Sequence, residues 1–274
     1  KFRKLIDKSE LQQYDIHIDF NSVIFGLYVC MALKRYDIKT LFDVCDDLPE
    51  LTRTSPQIPS LLKSIAFYLS IVLMNATVRY SNIITYVTEA LKRSYNFPPE
   101  RSVLIPNGVC LDKFIEANRD DNRYKYGFDN DIFIVGFIGY LSEWVDLEPV
   151  LSAVRKLVDE NLNISLLIIG SGERLSYYQS VAKDLDLSEY VIFTGSTSHA
   201  SGAELISCMD IGLICRKSTQ DSQNSLPIKL FEYWACNKPV ISTPLSGVKE
   251  FAGDLVYYAS TAEEYYEIIR ELYW

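Results

Sequence analysis

The alternation of apolar runs with stretches of helical period indicates an α/β chain. In the first hundred residues we predict strands at 15–20, 40–46, 83–88 and 102–106. We predict helices at 8–14, 23–36, 60–80 and 89–96, with a proline-containing loop at 49–59. Strands that alternate with helices form parallel sheets, whose two faces are normally covered.

The same pattern restarts after a charged segment, Glu116 to Asp131, which we predict to be a loop. Further strands are predicted at 131–141, 164–172, 190–196, 211–216 and 240–243. Helices are predicted at 148–160, 173–185 and 204–210. The pattern is typical of a doubly wound sheet, in which ligands bind outside the carboxyl ends of the strands. The loops expected at that edge include Gly139, Gly170–Gly172, Gly195 and Arg216–Asn224.

The segment NSLPIKLFEYWACNKPVIST, residues 224–243, predicts a helix that starts near Pro227 and stops at Lys238-Pro239. Proline is tolerated in a first helical turn, where its missing N–H costs nothing. The backbone N–H groups around Ser225, Leu226 and Ile228 would then attract an anion, above all a phosphate. The alternative is an ordinary capped helix in a surface loop. Its place at the carboxyl end of a strand favours the anion site.

Composition and charge disfavour several classes of function. The 274 residues are 48% hydrophobic and 23% charged, which fits a globular chain of two domains. A net charge of −9 disfavours a nucleic-acid partner. The six cysteines form no CxxC pair and lie away from the two histidines, so free thiols are expected rather than a zinc site. The chain begins with Lys1 and shows no signal peptide, so we expect the natural N-terminus to lie upstream.

The most apolar stretch, Ile65 to Val78, contains Ser70 and Asn75 and is too short to span a membrane, which takes about twenty apolar residues. We expect a buried helix. The alternative is a helix that rests on a membrane surface.

Four segments in order resemble the motifs of the retaining glycosyltransferases of family four. They are VLIPNGVCLDKF (103–114), FIVGFIGYLSEWVD (133–146), LLIIGSGERLSYYQSVAKDLDLSEYVIFTGS (166–196) and SLPIKLFEYWACNKPVIST (225–243). The Glu-Trp-x-Asp loop and the Pro-x-Lys-x-x-Glu motif resemble one subgroup. The resemblance covers roughly residues 83–258.

The resemblance implies a GT-B fold, in which two Rossmann-like doubly wound parallel-sheet domains face each other across a cleft. Residues 1–107 would be a partial N-terminal acceptor domain, since family members usually have more residues there. Residues 108–274 would be the nucleotide-sugar-binding domain.

By this likeness, Lys229 approaches the diphosphate and Glu232 accepts hydrogen bonds from the ribose hydroxyls. Their spacing places both on one helical face; the alternative is a surface ion pair between them. Asn224 stands where relatives carry a glutamate near the transferred sugar. The other residues expected to bind the donor are Gly139, Tyr140, Gly170, Gly172, Gly195, Arg216, Ser225, Leu226, Pro227 and Ile228.

At three positions this sequence lacks a charged residue that the family pattern has. Tyr140 and Val145 occupy the positions of the usual arginine and lysine, and Cys110 replaces an expected aspartate. Neutralisation of the diphosphate would then fall on Lys229, Arg216, Lys217 and helix N-termini. On the acceptor side the candidates are Asp43, Asp46 and Asp47, for which the alternative is a capped loop with solvated charges.

We therefore expect a retaining glycosyltransferase that moves a sugar from a nucleoside diphosphate to a hydroxyl of a glycan or lipid-linked acceptor. No metal and no cofactor besides the donor are expected. The location would be cytoplasmic, with peripheral contact at the inner membrane face. The alternatives are a nucleotide-sugar-binding subunit without turnover, and an epimerase or phosphorylase of the same fold.

Overall fold

The computed structural model describes residues 14–22, 24–55, 57–115 and 118–274. All but the last residue of the helix expected at 8–14 lie outside the described residues. The chain forms two compact units, of which the first comprises Lys1–Pro106 and Gln223–Ser225. The second comprises Asn107–Ser222 and Leu226–Trp274. The division after Pro106 lies one residue from the boundary expected from the sequence.

Within the described residues, the first unit contains a four-stranded parallel sheet of order β1-β2-β3-β4. Its strands are β1 (Ile16–Phe20), β2 (Lys39–Val44), β3 (Ile83–Tyr86) and β4 (Ser102–Leu104). Its helices are α1 (Ile24–Leu33), α2 (Leu48–Thr54), α3 (Lys63–Tyr80) and α4 (Glu89–Tyr95). Each predicted strand of this half is present, with bounds shifted by one or two residues.

The two faces of this sheet differ. Alternate residues of β2 and β3, such as Phe42 and Ile84, are fully buried against Met74 of α3 and Leu91 of α4.

On the other face, apolar side chains of β1, β3 and β4 are between 40% and 69% exposed: Ile16, Ile18, Phe20, Ile83 and Val103. The strand register aligns Ile18 of β1 and Ile83 of β3 on either side of the half-buried Leu41 of β2. Parallel sheets are normally buried on both faces, so the expectation of two covered faces is wrong for the described part of this unit.

The long helix differs from its prediction as well. A 3-10 turn, Ser60–Leu62, precedes α3, and together they make the one helix among the described residues that is long and apolar enough to cross a membrane by length and composition. Only 22% of the most apolar stretch of this helix is buried. The helix predicted at 60–80 is therefore present with these bounds, but it is mostly exposed rather than buried, and as a whole it is longer than the stretch Ile65–Val78 on which the judgement of its length rested.

A helix also lies in the predicted loop at 49–59. Asp47 is the N-cap of α2, where its Oδ1 accepts a hydrogen bond from the Glu50 N–H at 3.2 Å. Pro49 sits in the first turn, where proline is compatible with a helix. The predicted loop is therefore wrong for residues 49–54, which belong to α2.

The second unit contains a six-stranded parallel sheet of order β10-β9-β8-β5-β6-β7 among the described residues. Its strands are β5 (Phe133–Ile138), β6 (Ile164–Ile169), β7 (Val191–Gly195), β8 (Ile211–Ile214), β9 (Val240–Ser242) and β10 (Tyr257–Tyr258). Its helices, in chain order, are α5 (Asp112–Ile115), α6 (Arg119–Tyr126), α7 (Glu148–Asp159), α8 (Leu175–Asp184), α9 (His199–Cys208), α10 (Gln220–Asn224, whose last two residues belong to the first unit), α11 (Ile228–Ala235), α12 (Ser246–Ala252) and α13 (Ala262–Tyr273).

Helices cover both faces of this second sheet. Leu151 of α7 and Ile269 of α13 pack on one face, and Leu230 of α11 and Val248 of α12 pack on the other. All six residues of β6 are buried, as expected for a central strand of a doubly wound sheet.

A buried arginine fastens the segment that we expected to be a loop. Arg123 of α6 is fully buried, and its guanidinium donates to the carbonyls of Cys208, Asn130 and Ile132 at 2.8 to 2.9 Å. It also donates to Asp210 Oδ2 at 2.6 Å. Because this charge is paired and hydrogen-bonded, its burial is tolerated.

We predict that Arg123→Met lowers the free energy of unfolding by about 3 kcal/mol, since three carbonyls and Asp210 lose a donor. Urea unfolding followed by circular dichroism measures the change. As a control, the exposed Lys183→Gln should change it by less than about 0.5 kcal/mol. Equal effects of the two substitutions would contradict the structural role of Arg123.

Candidate functional site

A cavity of about 320 Å³ opens in the second unit at the carboxyl ends of β5, β6 and β7. It is lined by Phe114, Ile138, Gly139, Tyr140, Ile169, Gly170, Ser171, Ser196, Thr197, Ser198, Gly202, Ala203, Ile206, Lys229 and Glu232. The strand order explains its position. From β5 the chain proceeds through β6 to β7 and then returns to β8 on the other side of β5. Such a reversal leaves a crevice at the carboxyl edge.

Glycines allow the loops at this edge to touch. The Gly139 N–H donates to the Ile169 carbonyl, and the Gly170 N–H donates to the Gly195 carbonyl, both at 2.9 Å. A Cβ on Gly170 would lie 2.0 Å from the Gly139 oxygen, and the φ of Gly170 is +139°. Only glycine fits there without strain.

Lys229 brings a cation to the cavity. The Nζ of Lys229 lies 4.7 Å from the ring centroid of Phe137. A Cβ on Gly139 would lie only 2.2 Å from the same Nζ. Burial lowers the pKa of Lys229 to about 8, and the positive charge of Arg216 acts in the same direction. The side chain is half-buried and borders the cavity, so an anion bound there would stabilise the charged amine.

Glu232 lies three residues further along α11 and lines the same cavity. Its negative charge partly opposes the fall in the pKa of Lys229. The expected pair of a cation and a carboxylate therefore faces one cavity. A carboxylate can accept hydrogen bonds from two neighbouring hydroxyls.

Tyr233 fixes the orientation of α11. Its side chain is fully buried, and its hydroxyl donates to the Leu213 carbonyl at 3.0 Å. The same hydroxyl accepts the Ile138 N–H at 3.1 Å. The ring lies directly over Gly212, where a Cβ would come within 2.4 Å. One residue thus joins α11 to β8 and to the end of β5.

The first loop of the second unit carries little positive charge. Tyr140 is 58% exposed, and a hydrogen bond to Glu173 raises the pKa of its hydroxyl. Val145 is 3% exposed, and the adjacent Asp146 N–H bonds to the Cys215 carbonyl. The position expected to correspond to a lysine thus belongs to the hydrophobic core.

Several predicted donor residues do not line the cavity. Gly172 and Gly195 adjoin the lining residues Ser171 and Ser196 along the chain. Arg216 does not line the cavity either, but its positive charge lowers the pKa of Lys229. Ser225, Leu226, Pro227 and Ile228 are also absent from the lining.

Of these, Leu226 is buried and its carbonyl accepts the Asn107 amide at 2.6 Å. Pro227 is the N-cap of α11 rather than part of its first turn, and Ile228 is 52% exposed. Ser225 belongs to the first unit.

Asn224, expected near the transferred sugar, also belongs to the first unit. It is 3% exposed, and its Nδ2 donates to Asp47 Oδ2 at 2.7 Å and to the Ser94 hydroxyl at 3.0 Å. The Thr88 hydroxyl donates to its carbonyl at 2.7 Å. These contacts hold the Asn224 side chain within the first unit, and its place near the transferred sugar stays a prediction.

The acceptor candidates are held similarly. Asp47 is buried and accepts bonds from Tyr95 and Asn224 besides capping α2. Asp43 accepts the Thr85 hydroxyl at 2.6 Å, and Asp46 accepts the Asn21 amide at 3.0 Å. The structure thus gives all three carboxylates protein partners at the end of β2.

The sequence interpretation missed part of the lining. Phe114 was available, as the last residue of VLIPNGVCLDKF, and Ser196–Ser198 directly follow Gly195. No local pattern marks Gly202 or Ile206 of α9, because only the packing of that helix turns them to the cavity. Across the described ranges, no group of three or more His, Cys, Asp or Glu side chains could hold a metal ion.

Comparison with known proteins identifies the family of the chain. A family model described as "Glycosyl transferases group 1" matches residues 118–273, which is more than half of the chain. The chain belongs to this family.

The relatives that match in sequence are distant. N-acetyl-alpha-D-glucosaminyl L-malate synthase of Bacillus anthracis is 26% identical over 142 residues, 51% of this chain and 35% of the relative. GDP-mannose-dependent monoacylated alpha-(1-6)-phosphatidylinositol monomannoside mannosyltransferase of Corynebacterium glutamicum is 24% identical over 205 residues, 70% of this chain and 52% of the relative. The chain thus spans between about a third and a half of these relatives.

The structure of Anabaena Alr3699/HepE in complex with UDP superposes with a TM-score of 0.75 at 16% identity, covering 96% of this chain and 71% of that chain. The α/β fold with two parallel sheets matches GT-B glycosyltransferase structures, so the predicted fold class is confirmed.

We predict that Tyr233→Phe lowers the stability of the second unit by about 1–3 kcal/mol, because the buried Ile138 N–H and Leu213 carbonyl lose their partner. Urea unfolding measures it. The matched control is Tyr124→Phe, whose ring is 88% exposed and should be neutral. An unfolding midpoint of Tyr233→Phe equal to that of the control would contradict the anchoring role.

Proposed function

We propose that this chain carries the donor half of a retaining glycosyltransferase that uses a nucleoside diphosphate sugar. The observation that supports this most directly is that Lys229 and Glu232 line one cavity at the carboxyl edge of the second sheet. Membership of the group 1 family adds to it.

In this proposal Lys229 faces the diphosphate and Glu232 accepts the ribose hydroxyls. The loops with Gly139, Gly170 and Ser196 enclose the nucleotide with backbone groups and hydroxyls. A cavity of about 320 Å³ lies within the range usual for small-molecule sites.

The chemistry would be chiefly electrostatic. The acceptor hydroxyl forms a bond to the anomeric carbon, the bond from that carbon to the diphosphate oxygen breaks with its electron pair, and the hydroxyl proton passes to that departing oxygen. Lys229 would stabilise the charge that develops on the leaving oxygen. Among the described residues lining the cavity, Glu232 is the one carboxylate. We assign it to the ribose, so attack by the acceptor on the face of the departing diphosphate is the proposed route to retention.

Family likeness and the relative named for a phosphatidylinositol mannoside favour a lipid-linked or glycan acceptor. We also propose peripheral membrane contact through α3 and the preceding turn. Leu61, Ile65, Tyr68 and Val72 follow helical spacing and are 62% to 91% exposed. Such a stripe can rest in a membrane interface. A cytoplasmic location at the inner face stays a prediction.

A second candidate is a nucleotide-sugar-binding subunit without turnover. The specific observation in its favour is the sparse charge of the site: Lys229 is the one cation among the described lining residues, and Val145 is buried. Both candidates predict donor binding, whereas only the first predicts transfer.

We predict that Lys229→Ala, made in the full-length protein, lowers sugar transfer by about a hundredfold, as the loss of a group that stabilises developing charge does elsewhere. Transfer is measured with a panel of nucleotide sugars and a glycolipid acceptor. Wild-type turnover in the variant would contradict the assignment. Donor binding without transfer by the wild type would favour the binding subunit.

The pH dependence of nucleoside diphosphate binding is the control for this role. A bound diphosphate raises the pKa of Lys229 above its free value of about 8. Binding therefore takes up a proton above pH 8, and affinity should fall by up to about tenfold per pH unit from there. Below pH 8 the amine is already charged, so this contribution is constant. Lys229→Ala should lack the decline between pH 8 and 9.

We predict that vesicles of neutral phosphatidylcholine retain the protein through the apolar stripe of α3. Ile65→Ser together with Val72→Ser should reduce the retained fraction several-fold in flotation. Because both side chains are exposed, the double variant should keep its thermal stability. Equal retention of variant and wild type would contradict the membrane contact. The exposed apolar stripe would then be expected to pack against another protein segment.

A further inference from the structure

A second cavity of about 320 Å³ lies in the first unit, at the edge of the sheet opposite the carboxyl ends. Lys39 opens β2, Asn82 directly precedes β3, and Arg101 directly precedes β4, and all three line it. The cavity therefore lies at the amino ends of three neighbouring parallel strands. Ligands of such sheets usually bind at the other edge, so nothing in the proposed glycosyl transfer uses this cavity.

The lining is strongly basic. Its described residues include Lys34, Lys39, Arg79 and Arg101, against one carboxylate, that of Asp37. The chain as a whole carries a net charge of −9, so this cluster opposes the general charge. Among the described residues, neither Lys34 nor Arg79 pairs with a carboxylate. Among the described residues, Lys39 pairs with Asp37 at 3.3 Å and Arg101 lies 4.0 Å from Glu100; both carboxylates are well exposed, so both pairs are weak.

Two of the donors are held in fixed orientations. Arg101 Nη1 donates to the carbonyls of Val78 and Ser81, which fastens its guanidinium to the end of α3. Asn82 Oδ1 accepts the Thr40 N–H at 2.9 Å. Because the oxygen faces a backbone N–H, the Nδ2 of Asn82 is left as a donor, and no acceptor for it lies among the described residues.

Cations at the end of a helix also complement its dipole, which would account for Arg79 and Arg101 at the end of α3. It does not account for Lys39, which lies on β2, or for the free amide of Asn82. We propose that this cavity binds a phosphate group. Cationic and amide donors that converge from separate elements suit the oxygens of a phosphate.

The phosphate could come from two sources. One is a free phosphate or a soluble phosphate ester. The other is a lipid headgroup, since Arg79 continues the stripe of α3 that runs through Ile65, Tyr68 and Val72 at helical spacing. The two sources share the same chemistry at the cavity and differ in what a test with vesicles shows.

The test compares Lys34→Gln/Arg79→Gln with a control that removes two charges elsewhere, Lys63→Gln/Lys183→Gln. Arg101 is left intact because it caps α3. Both double variants are made in the Lys229→Ala background, so that the donor cavity contributes little phosphate binding. Inorganic phosphate is titrated at constant ionic strength, and thermal stabilisation gives the affinity. The cavity variant should bind at least about tenfold more weakly than the control, because two charge-assisted contacts are lost.

A second arm uses vesicles of phosphatidylcholine with and without phosphatidic acid. If the headgroup is the ligand, phosphatidic acid increases retention of the control but not of the cavity variant. If free phosphate is the ligand, only the titration separates the two variants. Equal behaviour of both variants in both arms overturns the proposal, and the cations then serve only the helix end. Sugar transfer by Lys34→Gln/Arg79→Gln with Lys229 present should be unchanged, so this result is independent of the proposed function.

Discussion

The site in the second unit depends on the buried hydroxyl of Tyr233. Helix α11 has eight residues and no side-chain N-cap, so it would not be stable in isolation. The bonds of Tyr233 to the backbone of Ile138 and Leu213 fix the helix against the sheet. Lys229 and Glu232 then project to the carboxyl edge because they lie one turn apart on a helix that cannot rotate.

The surroundings of Lys229 destabilise its charged form, and an anionic ligand can offset this destabilisation. Burial and the nearby Arg216 disfavour its charged form, while Glu232 and the ring of Phe137 favour it. Gly139 makes room for the amine by the absence of a Cβ. The loop geometry and the electrostatics therefore agree: the free protein holds a cation in a place where an anion would stabilise it.

The two units differ in how many faces of their sheets are buried. The second buries both faces, and its buried Arg123 secures the segment that leads into β5. The first buries one face and leaves apolar side chains of β1, β3 and β4 exposed on the other. A parallel sheet with one open face is unusual. The cavity of the proposed chemistry lies in the second unit, whose sheet is covered on both faces.

The sequence by itself determined the strands, the parallel α/β architecture and the pairing of Lys229 with Glu232, since period and helical spacing are local properties. It failed where local signals conflict or are silent: Pro49 begins a helix rather than a loop, and Arg123 lies buried in a charged segment. Only the tertiary structure decided that Asn224 bonds to Asp47, 177 residues away, and that Phe114 lines the cavity. Such contacts depend on how distant elements pack, and that information is absent from any short stretch of chain.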